Sequence, residues 1–323
     1  MLSRKSILLL LGIVCMFFLF LNPVLVLAKS YDYEIKRTFI LNNLSNLQIK
    51  NNQFNIKSET FFDSPYQRNT DVKRGFSISD VNISLATAIN KVGIMNQLVD
   101  IKYINPKGNI TYQEITNVHN TQANYDIEIK SLDNIKYTND YSQYLLDEPK
   151  IQSTDRPIID KAKEVVGNEQ NPYLKAKSIF AYVNTNIQYD SSEGNKGALN
   201  ALRTKKGLCE DYADLFVTMA RAVNIPARVV YGYWVASDAF TIGESYNMTV
   251  GHAWAEFYLP NYGWIFVDPT PTKDNRQTPD WDYFAKDNDT HLVSGYQSPE
   301  TLNTMLFLEN MFFPWKIEIT KKS

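Results

Sequence analysis

Cys209, His252 and Asp268 are the residues of this 323-residue chain whose types and order could carry out acyl chemistry. A thiol attacks a carbonyl well only as a thiolate, so it needs a base. An imidazole takes that proton near neutral pH, and a carboxylate beside the imidazole fixes its tautomer and steadies its positive charge. Cysteine, histidine and aspartate in this order are common by chance. Here the local context adds specificity, because each of the three stands where a rigid element begins or ends.

Cys209 lies in Gly207-Leu208-Cys209-Glu210-Asp211-Tyr212-Ala213. Downstream, Tyr212, Leu215, Phe216, Met219 and Val223 recur at helical spacing, and Asn224-Ile225-Pro226 stops the helix. The cysteine therefore falls at the first turn, where free N–H groups and the positive dipole end favour a thiolate. Glu210 and Asp211 oppose it, which calls for a second cation. His252 can supply one. It opens the alternating stretch His252-Ala253-Trp254-Ala255-Glu256-Phe257-Tyr258-Leu259, with Ala253, Ala255, Phe257 and Leu259 on the core face. Trp254 and Trp264 are expected as cleft walls and core. Glu256 is expected to meet Arg228 or substrate, and Arg228 to be a structural ion-pair residue.

Pro260 to Gly263 turns the chain into a second strand that runs from Trp264 to Asp268. Opposed residues of an antiparallel pair share a face, so one residue of slip decides whether Asp268 can meet His252. If Leu259 opposed Trp264, Ala255 would oppose Asp268, and the carboxylate would point away from the imidazole. If Tyr258 opposes Trp264, Trp254 opposes Asp268. His252 is then a diagonal neighbour, roughly 7–8 Å away at the backbone. The chemistry requires the second register or a β-bulge that restores it.

The rest of the chain sets the compartment and the frame. Arg4 and Lys5 precede an apolar run from Ile7 to Leu21, and the segment closes on Val26-Leu27-Ala28. This reads as a secretory signal peptide over residues 1–28, cut after Ala28, with an uncleaved membrane anchor as the competing reading. Cys15 lies inside it, so the mature chain would keep one thiol and no internal disulfide. Loss of Arg4 and Lys5 leaves 31 basic against 35 acidic residues, a net charge near −4 with no basic tract. Nucleic acid is therefore not an expected partner. Residues 29–140 alternate apolar and polar side chains around Leu47 to Lys50, Val99 to Tyr103, Ile110 to Tyr112 and Tyr125 to Lys130, with a turn at Asn105 to Asn109. That pattern predicts an N-terminal antiparallel β-sandwich. Residues 141–156 read as a linker. Residues 157–323 hold two short helices, the cysteine helix, the strands and an apolar tail near Ile317 that should pack back on a sheet. His119 and His291 read as lone histidines in polar loops. No residues have the spacing of a metal site, and no cofactor is expected.

Gly207 to Ala213, Ile225-Pro226-Ala227-Arg228, His252-Ala253-Trp254 and Trp264 through Asp268-Pro269-Thr270 together resemble the transglutaminase-like superfamily of cysteine enzymes, the secreted bacterial members above all. Asn171-Pro172-Tyr173 to Tyr189 resembles the helix that precedes the cysteine in them. The resemblance implies an α+β, papain-like core in which a cysteine helix packs on an antiparallel sheet, and a triad of Cys209, His252 and Asp268. It implies an extracytoplasmic acyltransferase or protease/amidase that acts on protein or cell-wall peptide substrates through a thioester. The tryptophan that helps hold the oxyanion in animal members has no counterpart, since no tryptophan precedes Trp234. The second oxyanion donor stays unassigned, and calcium activation is not implied. A non-catalytic envelope module that keeps the fold is the alternative.

Overall fold

The structure is a computed structural model that describes residues 29–44, 46–59, 64–89, 94–133, 135–192, 194–235, 241–248, 251–271, 277–287, 290–296 and 316–323. The expected signal segment, with Cys15, lies outside the described residues. Among them, no helix is long and apolar enough to cross a membrane.

Among the described residues, four α-helices, two larger sheets and a two-stranded parallel pair frame the cysteine. The helices are α1 (Arg156–Val166), α2 (Pro172–Asn186), α3 (Ala198–Thr204) and α4 (Cys209–Ala222). Asn171 caps α2 by accepting from the N–H groups of Tyr173 and Leu174, and Pro172 takes the first position, where a missing N–H costs nothing. The central sheet joins β7 (Ala227–Val235), β9 (His252–Leu259), β10 (Gly263–Val267) and β11 (Thr290–Tyr296) in the order β10-β9-β7-β11, all antiparallel. Helix α4 lies on one face of this sheet, where Phe216 meets Phe257 at 6.1 Å between ring centroids. Every residue from Asp211 to Arg221 is buried, so the expected apolar stripe is one side of a helix enclosed on all sides.

The N-terminal strands are β1 (Ser30–Asn42), β2 (Ile49–Glu59), β3 (Gln67–Ile89) and β4 (Ile94–Thr121). They form one six-stranded antiparallel ladder with β8 (Ser245–Met248) and β12 (Lys316–Lys321). Two separate sheets of a sandwich are not what the ladder shows. β4 is long enough for β2 to pair with one end of it and β1 with the other, while β3 runs along its opposite edge. The turn expected at Asn105 to Asn109 is an interruption within β4. There the Asn43 side chain donates to the carbonyls of Ile104 and Asn105 at 3.2 and 3.0 Å. Tyr125 to Lys130 joins no ladder and ends in a 3-10 turn, Ile129–Leu132, whose Leu132 is buried. The expected tail strand is β12, which pairs with β1.

This sheet covers the second face of the central one. Tyr33, Ile35, Val118 and Ile319 pack against Tyr233, Val235 and Leu292. The Gln67 amide donates to the Val293 carbonyl at 2.8 Å and accepts from its N–H at 2.7 Å, next to a register shift in β11 that would otherwise leave ladder groups unpaired. The segment expected as a linker is also folded in. Ile151 is fully buried, and Glu148 meets Arg221 of α4 at 2.8 Å.

Candidate active site

Cys209 is the first residue of α4, and two features of the sequence hold it there. Asp211 folds back over the helix start, its carboxylate accepting from the N–H groups of Leu208, Lys196 and Gly197 at 2.9, 2.9 and 2.7 Å. A Cβ on Gly207 would stand 2.5 Å from the Asp211 Cβ, so only glycine admits this cap. Asp211, expected to oppose a thiolate, thus has its charge engaged by three amides. The short strands β5 (Gln188–Tyr189) and β6 (Lys206–Gly207) pair in parallel and fix the approach to the cysteine.

The register of β9 and β10 answers the requirement set by the sequence. Trp264 opposes Tyr258 and Val267 opposes Ala255, so Asp268, the next residue, falls opposite Trp254 and on the side of His252. His252 Nε2 donates to Asp268 Oδ2 at 2.7 Å. Asp268 Oδ1 accepts from the Thr270 N–H at 2.9 Å. The buried Asn184 of α2 donates to the Pro269 carbonyl at 3.1 Å and holds this turn against the helix layer. With Nε2 engaged by Asp268, Nδ1 is the ring nitrogen left for the neighbouring Cys209 thiol. The three residues singled out in the sequence are therefore brought together.

His291 is a residue the sequence reading misplaced. It belongs to β11 and is fully buried, not part of a polar loop near the cleft or surface. Its Nε2 lies 3.2 Å from the same Asp268 Oδ2, and its Nδ1 lies 2.9 Å from Asp287 Oδ2. A neutral imidazole carries one N–H, and both its nitrogens here face carboxylates, so the contacts are satisfied together only by the imidazolium. The sequence signal is the i,i+4 pair Asp287 and His291, which reads as a surface pair until β11, an edge strand, is seen to be covered by the N-terminal sheet. His252, Asp268 and His291 offer donor atoms within 4.8 Å of one another, close enough to consider a metal. Their contacts are of ordinary hydrogen-bond length, with one oxygen shared by two ring nitrogens.

The electrostatics follow from this chain of groups. Burial disfavours a charged His252, but the Asp268 carboxylate and then the Cys209 thiol outweigh it, and the imidazole is pushed up to about 10. Burial would raise Asp268, yet His252 and His291 hold its carboxyl well below the usual carboxylate range. Burial also opposes a charged His291, and Asp287 with Asp268 overrides it, so its pKa is raised.

Arg228 and Glu256 form a structural pair, 2.6 Å apart, on the face of the central sheet away from α4. The guanidinium is stacked between Trp264 and Tyr296, 4.0 and 3.8 Å from their ring centroids. Trp254 is fully buried and donates to the Tyr66 hydroxyl, which in turn donates to Glu256, each at 3.1 Å. Trp254 is therefore core, not cleft wall.

Cys209 and His252 face an open cleft made of two adjoining hollows of about 400 and 490 Å³. Both are lined by Tyr189, Cys209, Gly251 and His252. The first continues along Trp234, Met248, Thr270 and Pro271 and, like the second, is lined mostly by apolar surface. The second passes Ser191, Glu210, Tyr233 and Ser294.

A helix that starts on cysteine, packed on an antiparallel sheet that carries histidine and aspartate, defines a papain-like cysteine-enzyme fold. Residues 159–269 match the model of the transglutaminase-like superfamily, over a stretch that contains all three polar residues. An uncharacterised protein of Haemophilus influenzae is 30% identical over 180 residues, which cover 50% of this chain and 48% of that protein. The protein-glutamine gamma-glutamyltransferase of Pseudomonas aeruginosa is 37% identical over 71 residues, 21% of this chain and 10% of that enzyme. The chain thus spans half or less of these relatives. A solved structure from Cytophaga hutchinsonii, described as a candidate cysteine protease, shares the fold with a TM-score of 0.57 at 15% identity, covering 92% of this chain and 89% of that one.

Proposed function

We propose that the protein is an extracytoplasmic cysteine enzyme that breaks amide bonds through a thioester. The observation that carries this is His252, held by Asp268 at 2.7 Å and lining with Cys209 the wall of an open cleft. In the thiolate–imidazolium pair the Cys209 proton already rests on His252 Nδ1, and the thiolate attacks a carboxamide carbon. A C–S bond forms and the carbonyl π electrons move onto oxygen. When that oxyanion collapses, the C–N bond breaks, and the leaving nitrogen takes the proton from the imidazolium. Water or an amine then attacks the thioester, giving its proton to His252 as the thiolate departs. Asp268 holds the ring throughout by its Nε2. The P. aeruginosa relative, an enzyme of protein glutamine, supports a glutamine side chain as the acyl donor. The apolar hollow along Trp234 and Met248 would seat the peptide beside it. The secretory pattern of residues 1–28 supports action outside the cytoplasm, on protein or on cell-wall peptide, with residues 29–140 as a β-domain that buttresses the catalytic core.

The test is incubation with a glutamine-containing peptide, with and without a primary amine, read by mass spectrometry. Hydrolysis adds 1 Da to the peptide. Transamidation adds the amine with loss of ammonia. Neither product in the wild type, or equal product from Cys209→Ala, would overturn the proposal.

A further inference from the structure

The proposed thioester chemistry places negative charge on the former carbonyl oxygen, and that charge needs donors fixed in advance. One is at hand. Cys209 is the first residue of α4, so its N–H has no intrahelical acceptor. A second must come from a side chain at the cleft, on the far side of the thiol from its base.

We propose that the Tyr189 hydroxyl is that second donor. Tyr189 pairs directly with Gly207, two residues before the nucleophile, and the Asp190 N–H donates to the Gly207 carbonyl at 3.0 Å. Strand pairing therefore fixes the Tyr189 backbone relative to Cys209. Its ring stacks on the buried Tyr212 of α4, 6.5 Å between centroids, and Tyr212 in turn donates to the Ile187 carbonyl. The residue is held by packing and by backbone, and among the described residues its hydroxyl has no hydrogen-bond partner. It is 46% exposed although it is a large aromatic, and it lines both hollows of the cleft together with Cys209. Partial burial, then the neighbouring Cys209 and Glu210, raise its pKa, which keeps the proton on the phenol where a donor is needed. When the thiolate adds to the carbonyl carbon, the oxygen that gains the π electron pair accepts from the Cys209 N–H and the Tyr189 O–H. When the pair returns and the C–N bond breaks, both contacts relax. No proton is transferred from Tyr189 at any step.

This role rests on the thioester reading above, and three measurements on the wild type and Tyr189→Phe separate the two. The first is the acylation rate with a p-nitrophenyl ester. The second is affinity for a peptide aldehyde, which adds Cys209 to make a thiohemiacetal. The third is alkylation by iodoacetamide, which attacks a saturated carbon and creates no oxyanion. Tyr189→Phe keeps the ring and its stacking. It should slow acylation roughly 100-fold, in the range for loss of one oxyanion donor. Aldehyde affinity should fall in step, and alkylation should stay within about twofold. Unchanged acylation would overturn the role, and so would alkylation that falls in parallel, which would assign Tyr189 to positioning the thiol. A wild type that alkylates normally but neither acylates nor binds the aldehyde would instead defeat the thioester reading, and this role with it.

Discussion

Replacing His291 with leucine tests whether the second imidazole is a charged strut of the site. Leucine is apolar and of similar size, so packing against Trp254 and Phe266, each 4.9 Å away by ring centroid, is largely kept. What is lost is a cation shared by two buried carboxylates. The Asp268 and Asp287 side chains are 4% and 1% exposed, so water cannot replace it. Removing one partner of a buried pair costs about 3–5 kcal/mol, because a buried charge is left uncompensated. That is a large part of the roughly 5–15 kcal/mol that holds a domain together. Urea unfolding should show a lower midpoint at unchanged slope. The double variant His291→Leu with Asp287→Asn removes the stranded charge too, and should recover about 1–3 kcal/mol of the loss. A single variant within 1 kcal/mol of wild type would refute the imidazolium assignment, as would a double variant no better than the single.

Three further outcomes follow from the same network. His252 is charged in the folded state up to about 10, against about 6.5 unfolded, so its stabilising contribution is complete below pH 6.5 and is lost as pH rises toward 10. Thermal melts across that range should fall more steeply for wild type than for His252→Asn, and parallel curves would contradict this. Asp211→Ala removes an acceptor shared by three N–H groups, and charged hydrogen bonds are worth about 1.5–3 kcal/mol each. Calorimetry should show a loss of at least that size together with loss of turnover, and a silent substitution would contradict the cap. Asp214 of α4 is buried, with no hydrogen-bond partner on either oxygen among the described residues, and burial raises its pKa well above the carboxylate range. Its cost to folding grows as pH rises above about 3.9. Asp214→Asn should therefore stabilise the protein at pH 8 and not at pH 4, measured by chemical denaturation; destabilisation at pH 8 would contradict it.

Legibility in the sequence tracked how local each determinant was. The cysteine helix and its stop at Pro226 came from spacing within fifteen residues, whereas the turn left two registers open and only the chemical need for Asp268 to meet His252 chose between them. His291 was misread because its partners are Asp287, four residues away, and Asp268, twenty-three residues away across the sheet. Polarity around Asp287 looked like surface, whereas it is a buried charge network. Tyr189 carried no motif of its own; its place at the cleft depends on a two-residue parallel pairing with Gly207 that no periodicity reveals. The β-sandwich rests on short alternating runs, but β4 continues through an apparent turn, where Asn43, just past the end of β1, holds the carbonyls of Ile104 and Asn105. The linker is polar enough to look loose, yet buried Ile151 and the Glu148–Arg221 pair anchor it to the core.

The central claim is that Cys209 and His252 work as a thiolate–imidazolium pair. The rate of Cys209 alkylation by iodoacetamide, measured against pH for the wild type and His252→Ala, tests it most directly. The paired thiol should react rapidly at pH 6–7, where an ordinary cysteine, with a pKa near 8.5, is mostly protonated, and the variant should lose that low-pH reactivity. Superimposable profiles would contradict the pair and remove the basis for acyl chemistry at this site.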